Sequence, residues 1–245
     1  PRNFMQQEAM GIVGTNLIFG ALYLHDQPRA LIESLTDDVG AGRIEIDMIK
    51  MSGPAFEGVD NRLMALHLVS SGLSRWSLFG PNKSVHQPKD TLYGRNVLVQ
   101  RGSFRPVTHV HVDMLEKALL QYEDDFKTST DNVLVLMEIT IANLQKTAEL
   151  DLKDFLDRVD LLSELGYHVL ITNFDTIAEL SHALKLQHTT KRALVLGTEH
   201  LETVFRKGRY DKFEGGVMEA AGKLFGGDAL VYIYPFPREN ASTGK

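Results

Sequence analysis

Five short apolar runs recur through the second half of the chain, and segments with helical periodicity lie between most of them. Apolar runs of about four to eight residues are typical of strands that are buried on both faces of a parallel sheet. These runs lie at 97–101, 133–139, 168–172, 193–197 and 229–234. The helical segments lie at 114–123, 152–165, 175–186 and 214–225. The alternation predicts an α/β fold, with a Rossmann-like parallel sheet flanked by helices over residues 96–235.

The first 80 residues have a less regular pattern of helices and strands. Helical periodicity is present at 6–24 and again at 60–72, where Asp60 is placed to cap the helix and Gly72 to end it. The alternating, Ile-rich segment 43–51 predicts a strand, and the string RWSLFG predicts a further short one. These residues therefore predict a smaller N-terminal α/β segment.

A linker is predicted between the two parts, because residues 81–95 contain two prolines and few apolar side chains. The predicted division is an N-terminal segment at 1–80, the linker at 81–95, the Rossmann-like domain at 96–235 and a tail at 236–245. The chain begins without Met or a signal-like profile. We therefore expect it to come from the inside of a longer protein.

Composition narrows the classes of partner. A formal net charge of −6 argues against a general nucleic-acid surface, which needs a concentrated stripe of Lys and Arg. The absence of cysteine excludes disulfides, thiolate catalysis and Cys-ligated metal. The most apolar run, 9–24, is interrupted by glycines and polar residues and is too short to cross a bilayer. We expect a cytoplasmic protein that binds a small phosphorylated ligand and can form homo-oligomers, without a nucleic-acid or membrane partner.

The string RGSFRPVTHVHVDML, at 101–115, follows the strand predicted at 97–101. Ligands of such sheets gather at the carboxyl ends of the strands, where loops meet helix N-termini. Gly102 would allow the backbone to approach an anion, and Ser103 and Thr108 offer hydroxyl groups. Free N–H groups at the start of the next helix favour phosphate. The segment therefore predicts a site for a nucleotide or a phosphorylated metabolite.

The same segment resembles the first motif of the nucleotidyltransferase superfamily, in particular that of the nicotinamide and nicotinate mononucleotide adenylyltransferases. The residues that match are Gly102, Ser103, Phe104, Pro106, Thr108 and His111. In that family the last His contacts ATP phosphates, so the resemblance implies that His111 stabilises charge during adenylyl transfer to a mononucleotide. It also implies phosphate contacts from Gly102, Ser103 and Thr108, and Mg²⁺ that enters with ATP.

The family carries a second motif of the Ser-x-Thr-x-x-Arg type, which holds the triphosphate. The nearest string in this chain is HTTKR at 188–192, so the resemblance implies Lys191 and Arg192 as further phosphate ligands. The string leads into the strand predicted at 193–197, whereas the family motif opens a helix.

Over nearly its full length the chain resembles a bacterial family whose members are labelled either nicotinate-nucleotide adenylyltransferase or TonB-dependent receptor. The strings that carry this resemblance are QQEAMGIVGTNLIFGA, DMIKMSGPAFEGVDNRLM, RGSFRPVT and FEGGVMEAAGKLF. An outer-membrane receptor needs an export signal and many amphipathic strands of about ten residues, whereas this sequence predicts helices. The transferase label agrees with the motif at 102–111.

A metal site is an alternative interpretation of the same segment. If 107–113 were extended, His109, His111 and Asp113 would project from one face and form a two-His, one-carboxylate set. On a helix the two histidines would lie about 200° apart and could not share an ion. The conformation of this segment therefore decides between the two kinds of site.

Two further alternatives stay open. The string LGYHVLITNFD resembles a motif of haloacid-dehalogenase-like phosphatases, with Thr172 at a strand end, but Asp47 alone is available as the acidic nucleophile of an earlier strand. In the other alternative the chain is a non-catalytic regulatory or assembly module. The central loop would then be a structural turn set by Pro106, followed by a helix that Thr108 caps.

Overall fold

The computed structural model describes residues 2–40, 42–145, 150–198, 200, 204, 206 and 208–235. The described helices are α1 (Arg2–Tyr23), α2 (Pro28–Ser34), α3 (Asn61–Ser70), α4 (Pro88–Leu92), α5 (His109–Phe126), α6 (Ile141–Leu144), α7 (Leu152–Glu164), α8 (Ile177–Leu186) and α9 (Gly216–Phe225). The described strands are β1 (Trp76–Phe79), β2 (Val85–His86), β3 (Asn96–Arg101), β4 (Val133–Thr140), β5 (His168–Thr172), β6 (Arg192–Gly197) and β7 (Ala229–Tyr234). None of these helices is long and apolar enough to cross a bilayer.

Within these residues, nine helices flank a mixed sheet of seven strands, in the order β2-β1-β5-β4-β3-β6-β7. The five strands and four helices predicted in the second half of the chain are all present, so the predicted α/β fold is confirmed. The sheet is mixed because β1, the strand predicted in RWSLFG, pairs antiparallel with both β2 and β5. The strands β3, β6 and β7 are parallel, as predicted.

The chain divides into two compact units that interleave along the sequence. The first unit consists of residues 1–91 and 138–173, and the second of residues 92–137 and 174–245. The segment predicted as a linker, 81–95, contains β2 and α4. The domain boundaries given by the sequence stay a prediction.

In the first unit, the segment 43–51 is an irregular connection, so the prediction of a strand there is wrong. Its side chains do point into a core, because Ile46 and Ile49 pack against a buried apolar cluster. The backbone finds partners other than a strand. The Ile46 N–H donates to the Leu73 carbonyl at 2.9 Å, and the Asn61 side chain accepts from the Met51 N–H at 2.7 Å and donates to the Met51 carbonyl at 3.0 Å. Alternating apolar residues here reflect packing without a neighbouring strand.

The register of the second unit places the candidate site. Val97 of β3 pairs with Arg192 of β6, and Gln100 pairs with Val195. The five strands from β3 onward are arranged in the order β5-β4-β3-β6-β7. If β3 is numbered as the first strand, this order is 3-2-1-4-5, which is the order of a Rossmann sheet. The chain continues from β3 to one side and later returns to β6 on the other side. The carboxyl ends of β3 and β6 therefore form the topological switch point, where such sheets bind ligands.

We predict that Asn61→Ala destabilises the chain, because the substitution leaves the N–H and the carbonyl of Met51 without their side-chain partner. The expected loss is about 1–3 kcal/mol in the free energy of unfolding, measured by urea titration. The control is Asn132→Ala, which removes an exposed amide. Equal losses in the two variants would contradict the role given to Asn61.

Candidate functional site

The candidate site is the connection between β3 and α5, at residues 102–108. The strand ends at Arg101 and the helix begins at His109, with Thr108 as its N-cap in an extended conformation. A Pro at position 106 and an N-capping Thr two residues later end the turn and start the helix. The sequence prediction of a loop followed by a helix start is confirmed here, and the loop emerges at the carboxyl end of β3.

Thr108 and His111 hold each other through a capping box. The Thr108 backbone N–H donates to Nδ1 of His111 at 3.0 Å, and the Thr108 hydroxyl lies 2.8 Å from the same nitrogen. His111 occupies the third helical position, which Glu or Gln usually fills in this motif. Because Nδ1 accepts the amide hydrogen, it carries no proton of its own. The neutral imidazole then has its proton on Nε2.

Burial lowers the pKa of His111 below its ordinary value. The ring lies against Phe104, with 5.1 Å between the two ring centroids. Protonation of Nδ1 would also bring a second N–H against the amide of Thr108. His111 is therefore neutral near pH 7, and its Nε2–H is a donor held in a fixed direction. A neutral donor of this kind can bind a phosphate oxygen without accepting a proton.

The start of α5 is suited to an anion. The first turn of the helix contains no acidic residue that would neutralise the positive end of its dipole. The Val112 N–H is bonded to the Thr108 carbonyl at 3.3 Å, whereas the Val110 N–H has no acceptor in the part of the chain that the structure describes. A helix start with a free N–H group and no acidic residue in its first turn is an ordinary phosphate-binding arrangement.

Gly102 has a packing role in addition to the one predicted from the sequence. A Cβ atom at this position would lie 2.8 Å from Cζ and 2.9 Å from Cε1 of Phe104. The Phe104 side chain is fully buried and its backbone has a φ of 45°. The ring thus fills the space beside Gly102, and the loop bends sharply around it. Glycine is required here whether or not an anion binds.

Gln100 supports the same helix from inside the sheet. The side chain is fully buried, and its Nε2 donates to the backbone carbonyl of His111 at 3.1 Å. Its Oε1 is buried and has no hydrogen-bond partner among the described residues. Sequence reasoning missed this residue. The available signal was an amide within an otherwise apolar strand, because buried amides in such strands need a specific partner.

Asp113, which the metal alternative included, also has a structural partner. Its carboxylate accepts a hydrogen bond from the hydroxyl of Tyr234, at the end of β7. This hydrogen bond raises the pKa of Tyr234. Sequence reasoning missed the pair, and no local signal could have found it because 121 positions separate the two residues.

The metal alternative fails because its premise of an extended segment is wrong. The helix begins at His109, so His109 and His111 point in different directions. His109 is exposed, whereas Nδ1 of His111 faces Thr108. Within the described parts of the chain, no group of three or more His, Asp or Glu side chains could hold a metal ion.

The phosphatase alternative is not supported, because the threonine that it needs at a strand end is buried and already bonded. The Thr172 hydroxyl is fully buried and donates to the Glu138 carboxylate at 2.7 Å. Asp47 lies in the irregular connection at 43–51, so it does not follow a strand.

The structure does not bring Lys191 and Arg192 to the candidate site. They lie at the amino end of β6, beside Val97, about 13 Å along the sheet from the carboxyl end of β3. The Lys191 ammonium donates to the Phe126 carbonyl at 2.6 Å, at the end of α5. The Arg192 guanidinium is buried and donates to the Gly226 carbonyl at 2.6 Å. Both cations cap backbone carbonyls at the opposite edge of the sheet. The string HTTKR matches the second motif in spacing, but spacing does not tell at which edge of the sheet the residues lie. That edge depends on the direction of β6.

A small cavity lies beyond the carboxyl ends of β3 and β6. It measures about 30 Å³ and is lined in part by Arg101, Leu196, Arg209 and Tyr210. Arg209 donates to the Asp175 carbonyl at 2.7 Å. This volume is suited to one water molecule. A triphosphate is too large for this cavity.

A larger cavity, of about 520 Å³, lies in the first unit around Lys50, Asp60, Arg62 and Lys83. Asp60 caps α3, as predicted, by accepting from the Arg62 N–H at 2.9 Å. Arg62 contacts Asp60 at 2.7 Å and Asp160 at 2.5 Å, and Lys83 contacts Asp160 at 3.2 Å. The charges of Arg62 and Lys83 are thus already paired with carboxylates.

Comparison with known proteins gives a distant relative of this chain. The phosphopantetheine adenylyltransferase of Thermotoga neapolitana is 25% identical over 150 residues, and the alignment covers 57% of this chain and 90% of that enzyme. No family model matches the chain. No solved structure matches it. The similarity supports a nucleotidyltransferase-like relationship, in agreement with the resemblance at 102–111. The nicotinate-nucleotide label stays a prediction.

We predict that Gly102→Ala destabilises the chain, because the added methyl group overlaps the buried Phe104 ring. The expected loss is about 1–3 kcal/mol in the free energy of unfolding. The control is Gly58→Ala, where nothing lies within 4 Å of the added atom. If both variants unfold at the same urea concentration, Phe104 does not occupy the space beside Gly102.

Proposed function

We propose that this chain binds MgATP at the Gly102–His111 segment and transfers the adenylyl group to a small phosphorylated acceptor. In this reaction a phosphate oxygen of the acceptor attacks the α-phosphorus of ATP. The bond from that phosphorus to the bridging oxygen breaks, and pyrophosphate leaves with the electron pair. No protein nucleophile is needed, so catalysis rests on positioning and on stabilisation of charge.

The observation that carries the proposal is the hydrogen bond from the Thr108 N–H to Nδ1 of His111, at the start of α5. It leaves the Nε2–H free to donate to a phosphate oxygen. The switch point between β3 and β6 supports the same location. The distant relative is named as an adenylyltransferase. Local geometry and strand topology thus support the segment, and the similarity supports the class of reaction.

The residues would divide the work as follows. His111 donates to the phosphates and stabilises the charge that develops as pyrophosphate leaves. The free N–H groups of the first helical turn and the hydroxyl of Ser103 bind phosphate oxygens. Thr108 fixes the imidazole of His111 and therefore acts as a positioning residue. Mg²⁺ bound to ATP would offset part of the negative charge of the phosphates.

The acceptor is proposed only as a class, a phosphate monoester. The motif resemblance points to nicotinate or nicotinamide mononucleotide, and the relative's name contains phosphopantetheine. These compounds share the phosphate that would attack ATP. They differ in the rest of the molecule, which a specificity pocket would recognise. The three compounds are therefore compared in one experiment.

The test is pyrophosphate release from MgATP with each of the three acceptors in turn, together with calorimetric titration of MgATP alone. We expect MgATP to bind and one acceptor to release pyrophosphate. His111→Ala should lower the turnover by about 10²–10³-fold, as for the loss of a charge-stabilising donor.

The matched control is His109→Ala, which removes an exposed imidazole two residues earlier and should leave the rate unchanged. Lys191→Met tests whether phosphate is bound by the Gly102–His111 segment alone or also by Lys191, as the second motif implied. It should leave the affinity for MgATP unchanged, because the Lys191 ammonium is bonded to Phe126 at the other edge of the sheet. Absence of heat with MgATP, or equal losses in His109→Ala and His111→Ala, would contradict the proposal and favour a non-catalytic module.

A further inference from the structure

The cavity of about 520 Å³ in the first unit has the size of a small-molecule site. Pockets that bind small molecules typically measure ~300–1,000 Å³. The residues that line it belong to three short segments, 48–50, 57–62 and 83–85, all within the first unit. The adenylyl-transfer proposal does not use this cavity, so its chemistry is considered separately.

The walls of the cavity are held in place by contacts behind them. The Asn61 side chain bonds both the N–H and the carbonyl of Met51, which ties the irregular connection at 43–51 to the start of α3. On another side, Lys83 lies in the turn between β1 and β2, in the left-handed region with a φ of 64°. Asp160 and Glu164 of α7 bind its ammonium at 3.2 Å and 3.0 Å. The cavity is therefore preformed, as small-molecule sites usually are.

Two of the three cations that line the cavity are already paired. Arg62 binds Asp60 at 2.7 Å and Asp160 at 2.5 Å, and Lys83 is held by α7. The hydrogen bond from Arg62 also lowers the pKa of Asp60 below its ordinary value, so this pair stays charged at neutral pH. A ligand would have to displace a carboxylate to reach either cation. These groups therefore form the wall of the cavity rather than its binding groups.

Lys50 and Glu57 differ from the paired groups. Both line the cavity, and neither side chain has an ion pair or a hydrogen bond within the part of the chain that the structure describes. Although their charges are opposite, they do not pair with each other. The cavity thus offers one ammonium and one carboxylate for a ligand. A ligand with one negative and one positive group would pair both of them through charge-assisted hydrogen bonds.

The rest of the lining limits the ligand further. Met48, Val59 and Val85 supply an apolar part of the wall, against which an apolar group can pack. A phosphorylated ligand is a weaker fit, because a phosphate group carries a charge of about −1.5 to −2 at neutral pH. Lys50 alone would have to balance that charge, with the Glu57 carboxylate nearby in the same cavity. The lining suits a small zwitterion that has an apolar side chain.

We propose that this cavity binds a free α-amino acid with an apolar side chain. Lys50 binds its carboxylate, Glu57 binds its ammonium group, and Met48, Val59 and Val85 contact its side chain. The proposal is independent of the proposed catalytic function, because the residues that carry it all belong to the first unit.

Calorimetric titration tests the need for both charges. The probes are L-valine, L-leucine and L-phenylalanine, together with two analogues of leucine. 4-Methylpentanoate lacks the ammonium group, and 3-methylbutylamine lacks the carboxylate. We expect at least one amino acid to bind. If leucine binds, each analogue should bind about tenfold more weakly or worse, because one charge-assisted hydrogen bond is lost. Absence of heat with all three amino acids, or equal affinities for leucine and either analogue, would overturn the proposal.

Substitutions test the two assigned side chains. Lys50→Met and Glu57→Gln should each weaken binding of the amino acid by about tenfold or more. Both side chains are without partners in the described chain, so the urea midpoint of unfolding should stay unchanged. The matched controls are Lys89→Met on α4 and Glu123→Gln on α5, which alter exposed residues outside the cavity and should leave the affinity unchanged. Equal affinities in Lys50→Met and Lys89→Met, or binding of inorganic phosphate in place of the amino acids, would contradict the assignment.

Discussion

The parallel pairing of β3 with β6 is the constraint on which the candidate site depends. The register from Val97–Arg192 to Gln100–Val195 aligns the two strands in one direction. The loop after β3 therefore emerges at the edge where the chain also leaves β6, and α5 starts there with its free N–H groups. The same register moves Lys191 and Arg192 to the other edge, where they bind carbonyls at the ends of helices. Strand direction thus separates Lys191 and Arg192 from the Gly102–His111 segment, although the motif spacing had suggested a shared site.

At that edge, a short chain of contacts gives His111 its chemistry. Gln100 holds the His111 carbonyl from inside the sheet, Phe104 lies against the imidazole, and the Thr108 N–H occupies Nδ1. The first contact fixes the backbone of His111, the second fixes the orientation of its ring, and the third fixes its tautomer. What remains is a neutral donor, which suits the transfer of an adenylyl group because that reaction needs charge stabilisation rather than a nucleophile. This packing requires glycine at position 102 even without a bound anion, because the Phe104 ring occupies the space that a Cβ atom would need.

The sequence predicted the repeating part of the fold well, because short apolar strands alternating with amphipathic helices have few other ways to pack. It also predicted the caps by Asp60 and Thr108, which depend on local residues. It failed at 43–51, because an alternating pattern tells which side chains are buried and does not tell whether a strand lies alongside. The Asn61 side chain, which takes the backbone bonds of Met51, gave no sequence signal. Gln100 and the Asp113–Tyr234 pair were missed for a related reason, since their partners are set by tertiary contacts.

Nδ1 of His111 is occupied by the Thr108 N–H, and we propose that the Nε2–H is therefore presented to a phosphate at the start of α5. Long-range ¹H–¹⁵N spectra of the histidines, recorded against pH with and without MgATP, test it most directly. We expect the Nε2–H tautomer at pH 7 and titration below the ordinary value of about 6.5, because burial lowers the pKa of His111. MgATP should shift the Nε2–H signal and the amides of Gly102 and Val110, and leave those of Lys191 and Arg192 in place. An Nδ1–H tautomer, or shifts confined to Lys191 and Arg192, would contradict the role proposed for His111.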